Sequence, residues 1–175
     1  MQAAELQARQ APIKDHYRAD PSAALITLRA TGELGTQSAS CSVDVGRRLV
    51  EAGLHPATGG DGTMACSGDM LLQALVACAG VTLRSVAINR GLDVGGTVSA
   101  DGVLDFRGTL GVDREASVGF ISIGLAFDLQ TDASEEDVVA LIRTTERYCV
   151  VYQTLKAGTP VSVTTTMGGP AQAER

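Results

Sequence analysis

Apolar and polar positions along this chain change period several times, and each change marks an element. Ala24-Leu25-Ile26-Thr27-Leu28-Arg29 is a short apolar run that reads as a strand. Gly32-Glu33-Leu34-Gly35 reads as a turn, and Ser40-Cys41-Ser42-Val43-Asp44-Val45 alternates with period two, as a half-buried strand does. A Gly-rich loop then crosses from Gly53 to Gly62. From Asp69 to Arg90 the pattern becomes helical, with Ser67 or Gly68 available as the cap and Gly91 as the stop. Its apolar residues, from Met70 to Ile88, cover nearly the whole circumference, which predicts a helix buried on most sides. Two β segments are expected near Thr97–Phe106 and Val118–Leu129. The first alternates around Val98, Ala100, Val103 and Leu104, the second around Phe120, Ile121, Ile123, Leu125 and Phe127. Ser134-Glu135-Glu136-Asp137 opens a second helix with a Ser cap and an acidic first turn, and Val138, Leu141, Ile142 and Thr145 form its inward face. Pro160–Thr166 reads as a last strand. Strands before, between and after two helices predict an α/β fold. The expected boundaries are an N-terminal extension over 1–22, one domain over 23–168 and a tail over 169–175.

Composition narrows the function. Hydrophobic residues make up 45% of the 175-residue chain, enough for a core of its own. With no Trp, three Tyr and three Phe, that core is built from Val, Ile, Leu and Ala. Few aromatics, a net charge of −6 and a pI near 4.8 argue against nucleic acid as a partner. Residues Met1 to Arg9 carry no apolar h-region, and the most apolar run, Ala74 to Val81, is shorter than the ~20 residues of a membrane span. A cytoplasmic protein without a membrane partner is therefore expected. In that compartment the four cysteines, Cys41, Cys66, Cys78 and Cys149, are read as reduced thiols rather than structural disulfides.

A buried cysteine is ordinarily a small hydrophobe. Cys78 and Cys149 depart from that reading together. Cys78 lies mid-helix in the most apolar segment, and Cys149, about three helical turns after Val138, falls at the azimuth of the second helix's inward face. Each helix thus offers a thiol to the same interior, and two interior thiols can serve as attacker and resolver in peroxide chemistry. Cys41, between Ser40 and Ser42, reads as structural, and Cys66 as a loop-packing thiol or a third redox thiol. His55 beside Cys66 and Cys78 is the one metal candidate, but two histidines without tight Cys or His spacing give no zinc site. Gly59-Gly60-Asp61-Gly62 lacks the Lys-Ser/Thr of a phosphate loop and reads as a turn. No metal or cofactor is expected.

Cys66 to Cys78, with Asp69, Leu71-Leu72, Ala74-Leu75 and Ala77-Cys78, resembles the first cysteine helix of OsmC-like proteins. Tyr148-Cys149-Val150-Val151-Tyr152-Gln153-Thr154-Leu155 resembles their second cysteine segment, and Gly-Gly-Asp-Gly at 59–62 also fits. The resemblance implies an OsmC-like fold, with two central helices against wrapped, mostly antiparallel sheets, in an intertwined homodimer. It further implies a thiol-dependent peroxidase for organic hydroperoxides in oxidative stress defence. Cys78 would be the attacking thiolate, Cys149 the resolving thiol, and an external dithiol the reductant. Asp69, nine residues before Cys78, would hold an activating arginine. Gly32-Glu33-Leu34-Gly35 stands where hydroperoxide reductases carry a Gly-Arg-Asp-Gly type turn, which leaves Arg29, Arg47 and Arg48 as candidates for that arginine. Val150 stands where the family often has Pro. The alternative function is a stress-response protein of the same fold that binds a small hydrophobic ligand without peroxidase activity.

Overall fold

The computed structural model describes residues 49–111 and 113–166, the backbone of strands at 32–34 and 40–44, and a few positions before residue 21. The expected strand at Ala24–Arg29, Arg47, Arg48 and the tail over 169–175 lie outside the described residues. Of the extension over 1–22, Ala4, Glu5, Ala8 and residues 10–12 are helical.

The first sheet is built in chain order from β1 (Gly32–Leu34), β2 (Ser40–Asp44), β3 (Leu49–Gly53) and β4 (Ala65–Cys66). Gly32-Glu33-Leu34 is thus a strand, not the expected turn. It pairs antiparallel with β2, Glu33 opposite Ser42, so ladder hydrogen bonds override the turn propensity of its glycine. β3, which no alternation announced, pairs antiparallel with β2 and parallel with β4.

Helix α1 (Ser67–Arg90) follows β4 directly. Gly91, at φ 70°, ends it by returning its N–H to the carbonyls of Ala87 and Ile88, a left-handed cap that glycine adopts without Cβ strain. By length and composition α1 is long and apolar enough to cross a membrane, contrary to the expectation from the Ala74–Val81 run. It serves as the core helix: Leu75, Ala79, Leu83 and Ala87, spaced four apart, are buried. Burial on most sides is not observed in the single chain, where Leu71 is 37% and Val81 73% exposed.

The second sheet is the antiparallel pair β5 (Gly95–Val103) and β6 (Ser122–Gln130). Val98 faces Phe127 and Ala100 faces Leu125 across the ladder, and these half-buried pairs line the inner side. Val103 and Ile121, expected among the inward residues, are 52% and 59% exposed. β6 begins at Ser122 because the chain first makes a helical turn at Phe106–Thr109 and folds back, Ile121 N–H bonding the Val103 carbonyl at 2.8 Å. Gly102 makes room there: a Cβ would sit 2.4 Å from the Phe120 ring.

Helix α2 (Glu135–Tyr148) is capped as its sequence predicts, the Ser134 hydroxyl accepting from the Asp137 N–H. Leu141 and Thr145 are buried and Val138 and Ile142 half-buried. Leu141 joins Leu83, Ala87 and Val94 in the core, with Phe127 and Ile142 packed against it. The helix does not run on through Cys149. That residue is extended (φ −73°, ψ 108°), and α3 (Val150–Ala157) starts anew after it. The Gln153 side-chain amide spans the break and bonds the Glu146 carbonyl at 2.8 Å. Pro160–Thr166 is not a strand. It has no sheet partner among the described residues, and Val161 and Val163 are 88% and 87% exposed.

Candidate functional site

The break between α2 and α3 brings the two predicted thiols together. Cys78 sits on α1 one turn beyond buried Leu75, half-buried. Cys149 is fully buried at the break. The two thiols lie close enough to perturb each other's titration. Cys149 therefore faces the interior as expected, but from a break between helices and not from a helical azimuth. The Thr82 hydroxyl donates to the Cys78 carbonyl at 2.7 Å.

These neighbours split the pair electrostatically. Burial pushes the Cys78 thiol up, but the Val151 amide, the Cys149 thiol, the Val150 amide and the Thr82 hydroxyl outweigh it, and its pKa lies below the ordinary thiol value. Cys149 moves the other way. Burial raises it most, the Tyr152 amide offsets part of that, and the adjacent Cys78 sulfur raises it further against a small lowering by the Val151 amide. The two thiols are thus displaced in opposite directions, Cys78 towards the thiolate and Cys149 towards the neutral thiol.

An apolar groove of about 590 Å³ is lined by a residue one helical turn from each cysteine, though by neither cysteine itself. Leu75, one turn before Cys78, and Tyr152, one turn after Cys149, line it with Leu125, Phe127 and Ile142 of the facing elements. Glu146 and Lys156 supply its charge, and the Lys156 ammonium lies 5.5 Å from the centre of the Tyr152 ring.

The other predicted residues lie elsewhere. Asp69, exposed in the first turn of α1, is about 13 Å along the helix axis from Cys78 and is not brought beside the thiols. It lines a separate cavity of about 380 Å³ with Cys66 and His55. His55 Nδ1 accepts from the Ala57 N–H, and its ring stacks on Phe106 at 5.0 Å. Cys66 is about 18 Å of helix axis from Cys78, beyond direct thiol exchange. Among the described residues no group of three His, Cys, Asp or Glu could hold a metal. Arg29, Arg47 and Arg48 lie outside the described residues, and of Cys41 only the backbone, in β2, is described. The feature that sequence reasoning missed is the helix break at Cys149, from which that thiol enters the interior.

The family model described as OsmC-like protein matches residues 60–164, well over half of the chain. No curated protein matches in sequence. Among solved structures, the chain is similar to an OsmC-like protein from Mycoplasma pneumoniae at 18% identity and a TM-score of 0.62, covering 75% of this chain and 88% of that one. It is also similar to an OsmC-like protein of unknown function from Vibrio cholerae, at 11% identity and a TM-score of 0.58, covering 74% and 94%. A third is an organic hydroperoxide resistance protein OsmC from Legionella pneumophila, at 18% identity and a TM-score of 0.55, covering 76% and 91%. At these identities the likeness is one of fold.

Proposed function

The chain belongs to the OsmC-like family, and we propose that it is a thiol-dependent peroxidase that reduces organic hydroperoxides in oxidative stress defence. The observation that carries this reading is the Cys78–Cys149 pair, brought together by the break between α2 and α3, with its two thiols displaced in opposite directions. In the first step the Cys78 thiolate attacks the outer oxygen of ROOH. The O–O bond breaks, Cys78 becomes a sulfenic acid, and the departing alkoxide takes a proton to leave as ROH. In the second, Cys149 condenses with the sulfenic acid, the S–OH bond breaks, and the products are the disulfide and water. An external dithiol then reopens the disulfide by exchange and is itself oxidised. No metal or cofactor enters the cycle. The apolar groove, lined by Leu75 and Tyr152, suits the alkyl part of a substrate. The acting form is a cytoplasmic homodimer.

Peptide mapping tests the reading. After one equivalent of an alkyl hydroperoxide, the expected product is a Cys78–Cys149 disulfide, with Cys41 and Cys66 still reduced. Cys149→Ser should trap Cys78 as sulfenic acid that overoxidises under excess peroxide, and Cys78→Ser should consume none. The groove supports a second reading, that of a carrier for a small hydrophobic ligand on the same fold. Unreacted thiols together with saturable binding of an apolar fluorophore would favour it.

A further inference from the structure

Helix α2 stops at Tyr148 although its sequence does not oblige it to. Neither proline nor glycine occurs from Glu135 to Ala157, so every residue there has the N–H that a running helix needs. The Cys149 N–H still bonds the Thr145 carbonyl at 2.9 Å, as in an unbroken helix. The next bond of that ladder would join the Val150 N–H to the Glu146 carbonyl. Instead Cys149 turns to ψ 108°, against about −42° in a helix. The Glu146 carbonyl accepts from the Gln153 side-chain amide at 2.8 Å. Meanwhile the Gln153 main-chain N–H bonds the Cys149 carbonyl at 3.0 Å and so opens α3. One residue thus closes the first helix with its side chain and starts the next with its backbone.

We propose that Gln153 is a positioning residue: its side-chain bond to the Glu146 carbonyl keeps the chain broken at Cys149 and so holds α3 in place as a wall of the apolar groove. The competing form is a continuous helix in which the Val150 N–H takes the same carbonyl. Both forms need that one acceptor, so the Gln153 amide decides between them. Little else fixes the direction of α3. It has no buried residue, and Val151, Tyr152 and Leu155 are half-buried. Yet Tyr152, Leu155 and Lys156 of α3 line the groove together with Ile142 and Glu146 of α2. Straightening the break would turn the chain by about 150° around one backbone bond. Leu155 would then lie about 10 Å past Tyr148 along the α2 axis, off the groove. The inference rests on the peroxidase reading only in taking the groove as the seat of a substrate's apolar part; the carrier reading uses the groove in the same way.

Gln153 is exposed, so its side chain can be exchanged without opening the core. Gln153→Met keeps the length and removes the donor, whereas Gln153→Lys keeps an N–H donor. The experiment uses the reduced full-length chain with its cysteines labelled in carbon-13. The Cα and Cβ shifts of Cys149 report whether that residue is extended or helical. In parallel, titration with the neutral fluorophore N-phenyl-1-naphthylamine reports the groove. The expected result is an extended Cys149 in the wild type that moves towards helical shifts in Gln153→Met, with probe affinity reduced at least about threefold. Gln153→Lys should return both readings towards the wild type, which a general loss of stability would not produce. Wild-type Cys149 shifts in Gln153→Met would overturn the proposal, as would a Gln153→Lys that moves as far as Gln153→Met. Should Gln153→Met fail to fold, Gln153→Glu takes its place, equal in size and without a donor at neutral pH, and the same outcomes decide. A wild type that binds no probe would sink the groove's part in the peroxidase reading, and the Cys149 shifts would still decide this inference.

Discussion

The cysteine pair was legible from residue type and position, whereas what separates its two members was not. Cys78 and Cys149 could be picked out because each stands in an apolar segment of a predicted core helix, and side chains write that pattern into the sequence. A main-chain N–H leaves no such mark, since every residue but proline has one. The opposite displacements of the two thiols have a direct kinetic reading. The Cys78 value is lowered, so its thiolate survives further into acid, and alkylation at Cys78 should fall only as pH drops through a value below that of an ordinary thiol. The Cys149 value is raised, so its alkylation should emerge only at a pH above that. A pH–rate series resolved by peptide checks both, and coincident profiles would contradict the split. Asp69 makes a second test at this scale. With its carboxylate in the cavity of His55 and Cys66, Asp69→Asn should cost of order 0.3–1 kcal/mol at the helix start and leave the Cys78 profile unmoved. An upward shift at Cys78 would instead indicate an arginine bridging from Asp69 to the thiols.

Among elements, the strongly periodic ones were readable and the interrupted ones were not. α1 appears within two residues of its predicted start and ends at Gly91, where local chemistry and fold agree. The α2 cap was readable for the same reason. Ser134→Ala should therefore lower stability by about 0.5–2 kcal/mol in chemical denaturation without touching thiol reactivity. Leu141→Ala, which opens a cavity against Leu83 and Ala87, should cost roughly 2–5 kcal/mol. The break at Cys149 could not be read, because the apolar spacing from Val138 continues across it. A side-chain bond across the break supports it, the Gln153 amide satisfying the Glu146 carbonyl. β1 was misread because pairing with β2 makes it a strand, and no local residue reports a partner.

At the scale of the whole molecule, the misfit between sequence and single chain is itself informative. The apolar residues of α1 go all round, yet one stripe is covered, and 22% of its most apolar window is buried. Val81 on α1, Val139 on α2 and Val150 on α3 are each at least 61% exposed. Val161 and Val163 alternate with polar residues as a strand would, without a strand beside them among the described residues. Exposed apolar surface on this scale marks contact with another chain, and identical copies related by a two-fold axis are the commonest way to cover it. We therefore expect a homodimer that buries the outer face of α1 and gives residues 160–166 a strand partner. The replacement Val81→Asp, at an exposed site in the single chain, should barely affect an isolated monomer, where a surface change is worth within about 0.5 kcal/mol. In a dimer it would bury an unpaired charge, at a cost of several kcal/mol. Sedimentation velocity at micromolar concentration should show a dimer for the wild type and dissociation for Val81→Asp. A wild-type monomer, or a dimer indifferent to Val81→Asp, would mean that these faces are covered by something other than a second copy.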